Sequence, residues 1–83
     1  MTLDFSASAL RQLSSLDINV QKRIAEKLKF YSSQTQPLRF AEKLTDSRFG
    51  QWRFRIGEYC VLFDVENDRI IVLAIGHRKE IYR

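Results

Sequence analysis

One cysteine, one proline, one histidine and three glycines are all that these 83 residues hold of the types that usually mark covalent staples, helix breaks and metal centres. A lone cysteine excludes an internal disulfide, and one cysteine with one histidine is too few for a zinc site. The chain has neither a GxSxG elbow nor a phosphate-binding Walker loop, so nucleophilic-serine and P-loop chemistry have no footing in it. No cofactor and no metal are expected. There is also no charged-then-apolar leader and no apolar run long enough to cross a bilayer, so the expectation is a protein of the reducing cytoplasm with no membrane partner.

What is present is a modest apolar fraction of 45%, six Phe, three Tyr and one Trp. That is enough for one packed core, and the length allows only a single domain over residues 1–83. Fourteen Lys and Arg against ten Asp and Glu give a formal charge of +4. Such a balance permits a polyanionic partner without requiring one. Its placement is more informative, because seven of the basic residues lie between Arg48 and Arg83, interleaved with strand-like sequence.

The first half reads as helical. A short strand is expected at Leu3 to Phe5, then Ser6 or Ser8 as the N-cap of a short helix carrying Ala9, Leu10 and Leu13. Asp17 caps a second helix in which Val20, Ile24, Leu28 and Tyr31 recur at helical spacing and line one face. The polar stretch Ser32 to Pro37 ends that helix, and Leu38 to Asp46 is a connector with at most one helical turn. From Gly50 onward the period becomes two. Strands are expected over residues 51–56, 59–65 and 69–76, with turns at Gly57-Glu58 and Asn67-Asp68. The predicted fold is therefore α+β, an N-terminal helical hairpin packed on a small antiparallel sheet.

A two-residue turn at Gly57-Glu58 fixes the register of its hairpin, pairing Ile56 with Tyr59, Arg55 with Cys60, Phe54 with Val61 and Arg53 with Leu62. Trp52, Phe54, Ile56, Tyr59, Val61 and Phe63 then face the helices, and Arg53, Arg55 and Cys60 share the other face. The last strand is apolar on both parities, so its register stays open. It runs into GHRKEIYR, residues 76–83, which holds the only histidine. Arg53, Arg55, Arg78, His77 and Tyr82 together would offer fixed cations for a phosphodiester, a group titrating near neutrality and a ring on which a base could stack. Cleavage of RNA by its own 2'-hydroxyl needs those parts and no metal. Each has a plainer reading: strand arginines are ordinarily solvated, a lone histidine is ordinarily structural, and a terminal tyrosine ordinarily packs.

The order of helix, helix, Lys43-Leu44, then G-x-W-R-x-R-x-G-x-Y-x-V-x-F-D from Gly50 to Asp64, then an apolar strand into G-H-R-K-E-I-Y, resembles the RelE/ParE toxin superfamily over nearly the whole chain. The resemblance implies a toxin of a type II toxin–antitoxin system, an endoribonuclease (mRNA interferase) that cuts message in the ribosomal A site. It further implies a cognate antitoxin as partner, permits a heterotetramer with it, and places the site on Arg53, Arg55, Arg78 and Tyr82. Two departures follow. Arginines stand where the RelE branch often has lysines; they stay protonated, which leaves proton transfer to His77, Tyr82 or water. Cys60 stands where the family has an arginine, and an attenuated toxin is one implication. An arginine restored there is expected to fit, its long chain reaching solvent from a polar face. The alternatives are a ParE-like inhibitor of DNA gyrase and an inactive relic that binds its antitoxin as co-repressor.

Overall fold

The computed structural model describes residues 1–82; Arg83, at the end of the tail, lies outside them. Strand β1 (Thr2–Phe5) leads into helices α1 (Ala7–Ser14) and α2 (Ile18–Ser33), and the chain ends in β2 (Glu42–Lys43), β3 (Trp52–Ile56), β4 (Tyr59–Glu66) and β5 (Arg69–His77). The five strands lie in the order β1-β5-β4-β3-β2. The sheet expected to be antiparallel is so except at one edge, where β1 runs parallel to β5. The long connection that parallel neighbours need is here everything between Phe5 and Arg69, both helices and three strands included.

Local chemistry accounts for the helix ends. Ser6 caps α1 by accepting the Ala9 N–H at 3.0 Å, and Asp17 caps α2 by accepting that of Asn19 at 3.0 Å. Gln21 donates to the carbonyls of Ser14 and Leu16, so α2 closes the end of α1. Leu10, expected on the apolar side, is exposed instead, and only Ala9 of α1 is fully buried. The connector contains two 3₁₀ turns, Pro37–Phe40 and Ser47–Phe49, on either side of β2.

Ile24 and Leu28 of α2 pack with Ala9 onto Phe54, Ile56, Val61, Phe63, Ile70, Val72 and Ile75. The β3–β4 register is the one the two-residue turn dictates, from Ile56 opposite Tyr59 to Arg53 opposite Leu62. Gly57 there takes φ 59°, which a residue without Cβ adopts at no cost. Tyr31, Phe54 and Phe63 stack in series, with centroids 4.6 and 4.4 Å apart. Such offset pairs add about 0.5–1.5 kcal/mol each beyond their buried area.

Strand β5 settles its open register by using both parities. Ile70 and Val72 face the helices, a bulge at Leu73 inserts one residue opposite the Leu62/Phe63 step, and Ile75 then faces the helices as well. A bulge leaves ladder groups unpaired, and β1 has already ended beside Val72. Helix α1 supplies the missing partners: Ser6 Oγ donates to the Leu73 carbonyl at 3.0 Å, and Gln12 Oε1 accepts the Ile75 N–H at 2.8 Å. Ser6 thus serves a helix cap and a strand at once. Ser6→Ala should lower stability by about 1–2 kcal/mol, since it removes a cap and leaves a part-buried carbonyl unpaired. Urea denaturation will show this as a lower midpoint with an unchanged slope; Ser8→Ala, with its hydroxyl exposed and accepting only from Arg11, serves as control.

Candidate functional site

The sheet face away from the helices carries Arg53 and Arg55 of β3, Cys60 and Leu62 of β4, and Gly76 of β5. Arg53 is held at both ends of its fork. Nη1 donates to the Tyr82 hydroxyl at 2.7 Å, and Nη2 donates to Glu42 Oε2 at 2.6 Å. Its Nε is buried with no partner among the described residues. The hydrogen bond to Glu42, followed by that to Tyr82, outweighs partial burial and holds this guanidinium firmly protonated. Arg55 is exposed, and no ion pair to it is present among the described residues.

Arg78 follows β5 and turns back toward the β3–β4 hairpin. Its backbone N–H donates to the Glu58 carbonyl at 2.8 Å, and its Nε lies 3.0 Å from Glu58 Oε2. The tail then folds so that Ile81 donates its N–H to the His77 carbonyl at 3.0 Å. Its side chain lies over Gly76, where a Cβ would stand 3.7 Å from three Ile81 carbons. Tyr82 is carried from there to Arg53, with its ring edge-on to Phe49 at 5.0 Å. Arg48, paired with Asp46 at 2.7 Å, lies 5.5 Å from the centroid of Phe49. Between the Lys43–Asp46 segment and Phe49, Arg53 and Tyr82 is an open cleft of about 280 Å³.

Four of the five expected residues therefore converge. Arg53 and Arg55 stand on β3 opposite Leu62 and Cys60, Arg78 is tied to Glu58 in the turn between β3 and β4, and Tyr82 bonds Arg53. His77 does not join them. The bulge in β5 puts it opposite Tyr59, on the face of the sheet toward the helices, with the two rings 5.5 Å apart. Its Nδ1 accepts the Lys79 N–H at 3.2 Å, and Nε2 lies 3.9 Å from Glu58 Oε2.

Cys60 also departs from expectation. It is 1% exposed, on a face expected to be polar and solvated. Burial pushes its thiol pKa up, with Arg53, Arg55 and Arg78 pulling against that shift, so it is a neutral side chain rather than a thiolate nucleophile. Three features escaped the sequence reading: Glu42, Glu58 and Phe49. Glu58 stood in the turn already identified, beside the strand end from which Arg78 had to emerge. Glu42 gave no signal, because β2 is two residues long.

Residues 3–82 match the family model described as the ParE toxin of the type II toxin–antitoxin system parDE. The chain is 30% identical over 84 residues to the toxin RelG of Mycobacterium tuberculosis, covering 99% of this chain and 95% of that protein. Among solved structures it is similar to the toxin–antitoxin complex RelBE2 of Mycobacterium tuberculosis, with a TM-score of 0.78, 25% identity and coverage of 93% of this chain and 96% of the other. The RelB–RelE antitoxin–toxin complex of Methanococcus jannaschii gives 0.70 and 26%, covering 95% and 94%.

A buried Cys60 makes the restoration of arginine a costly change. Cys60→Arg must bring a long cation into a filled position beside Gly76 and Ile81, and overpacking of that kind costs about 1–3 kcal/mol. Its urea midpoint should fall well below that of the parent. A midpoint equal to the parent's would show that the tail lifts away from Gly76 without cost.

Proposed function

We propose, from the premise that this chain belongs to the ParE toxin family of type II toxin–antitoxin systems, that it is a ribosome-dependent endoribonuclease cutting message in the A site. The observation that carries this reading is the cluster of Arg53, Arg55 and Arg78 beside a tyrosine hydroxyl on one sheet face. Three cations suit a phosphorane-like transition state, and the Phe49–Tyr82 pair suits a stacked base. The similarity to RelG and to the RelE complexes supports the same branch.

The 2'-oxygen of the substrate attacks the adjacent phosphorus, its proton passes to a base, and the 5'-oxygen departs with a proton from an acid. The products are a 2',3'-cyclic phosphate and a 5'-hydroxyl. With His77 on the other side of the sheet, Glu42 takes the role of base, its carboxylate being the acceptor that stands beside Arg53 on the arginine face. Glu42 and Tyr82 sit on the two terminal nitrogens of one guanidinium, which places acceptor and donor on either side of Arg53. Tyr82 keeps its own hydroxyl proton to give. The cognate antitoxin is the expected partner, as in the two complexes of similar fold, and its binding should be salt-sensitive because the exposed arginines are cationic.

The family model itself favours a second reading, a ParE-like inhibitor of DNA gyrase. Primer extension on translating ribosomes separates the two: cuts within A-site codons support the ribonuclease, and inhibition of gyrase supercoiling with no cuts supports the other. Under the first reading, Glu42→Gln should lower single-turnover cleavage on the order of a hundredfold. The same change should tighten RNA binding, because it frees Arg53 Nη2. Lys27→Ala, on the exposed side of α2, should change neither. Slower cleavage with weaker binding would make Glu42 a structural clamp and not the base.

A further inference from the structure

The two glutamates on the arginine face approach their partners differently. Glu42 takes a terminal nitrogen of Arg53, so a phosphate can use that nitrogen only after displacing it. Glu58 approaches Arg78 through Nε, and among the described residues neither terminal nitrogen of Arg78 donates a hydrogen bond. A guanidinium gripped at Nε still presents its two outer N–H₂ groups as a fork.

We propose that Glu58 is a positioning residue for Arg78, fixing its guanidinium so that the outer fork is presented to the scissile phosphate. Glu58 meets Arg78 twice: its carbonyl accepts the backbone N–H at 2.8 Å, and its carboxylate forms an ion pair with the guanidinium, Oε2 lying 3.0 Å from Nε. The clamp joins the β3–β4 turn to the residue just past β5, two places far apart in sequence that the β4–β5 ladder also brings together. His77 stands near the same carboxylate from the helix side of the sheet, its Nε2 3.9 Å from the oxygen that faces Arg78. A bare arginine side chain loses several rotors when it grips a phosphate, and a carboxylate that already fixes it lowers that loss.

The inference rests on the ribonuclease reading for its catalytic consequence alone. Its first test uses the chain by itself and a 2'-O-methyl RNA trinucleotide, which binds but lacks the attacking hydroxyl. Glu58→Gln should weaken binding about three- to fivefold, the range of one surface ion pair. In an Arg78→Ala background the same change should do nothing further, because a residue that acts through Arg78 has no other route. Tighter binding by Glu58→Gln would show that Glu58 competes with the phosphate, and additive losses would show that it acts elsewhere; either overturns the proposal. Failure of the parent chain to bind the trinucleotide would overturn it too. The second test is single-turnover cleavage on ribosomes, where Glu58→Gln should lower the cleavage rate about five- to tenfold and again do nothing in the Arg78→Ala background. If the parent binds and the cycle closes on Arg78 but no message is cut, the ribonuclease reading falls while the phosphate-presenting role stands.

Discussion

The inserted residue at Leu73 decides which chemistry each face of the sheet receives. A strand that kept the parity of Ile70 and Val72 would bury Ala74 and Gly76 under the helices and send His77 to the arginine side. The bulge reverses this. Ile75 enters the core, Gly76 comes to lie opposite Cys60, and His77 turns toward Tyr59. Such a shift survives only if its loose backbone groups are paired, and that is the work of Ser6 and Gln12 on α1. A helix on one side of the molecule therefore sets the geometry of a site on the other. The chain of contacts runs from the α1 cap, through β5, to the arginine that follows it.

How legible each part was in the sequence follows from the same physics. The β3–β4 hairpin was readable residue for residue, because a two-residue loop with glycine at a positive φ leaves no freedom of register. The α2 face was readable because Ile24 and Leu28 alternate with charged neighbours at helical spacing. β5 was not, since Ile70, Ile71, Val72, Leu73, Ala74 and Ile75 are apolar throughout and a one-residue insertion leaves no trace in such a run. The error in placing His77 comes directly from that. The parallel pairing of the expected edge strand and the two-residue β2 were hidden for another reason: they are set by distant segments rather than by any pattern of their own.

The site also differs from a simple array of cations. Sequence shows the arginines but not which acids they meet, because Glu42 is eleven residues from Arg53 and Glu58 twenty from Arg78 and only the fold brings each pair together. These pairs are exposed enough to be weak contributors to stability, so their interest lies in what they do to the arginines. At Arg53 the fork is filled by Glu42 and Tyr82, and binding of a phosphate there must be an exchange of one anion for another. At Arg78 the fork is open among the described residues. One arginine is gated and the other presented.

Cys60 fits this division of labour once its burial is taken into account. With Gly76 across from it and Ile81 folded over that glycine, the centre of the face is packed by the tail. A long cation at position 60 would have to lift Ile81 and, with it, the turn that carries Tyr82 to Arg53. The small, uncharged thiol lets the tail close, and a closed tail holds Arg78 and Tyr82 in place at the two ends of the cluster. The absence of a cation at position 60 thus goes with a tighter frame around the three arginines. Under the ribonuclease reading, charge and preorganisation trade against each other at this position: a fourth cation would add a stabilising donor, whereas a closed tail lowers the ordering that the three arginines need to reach the transition state.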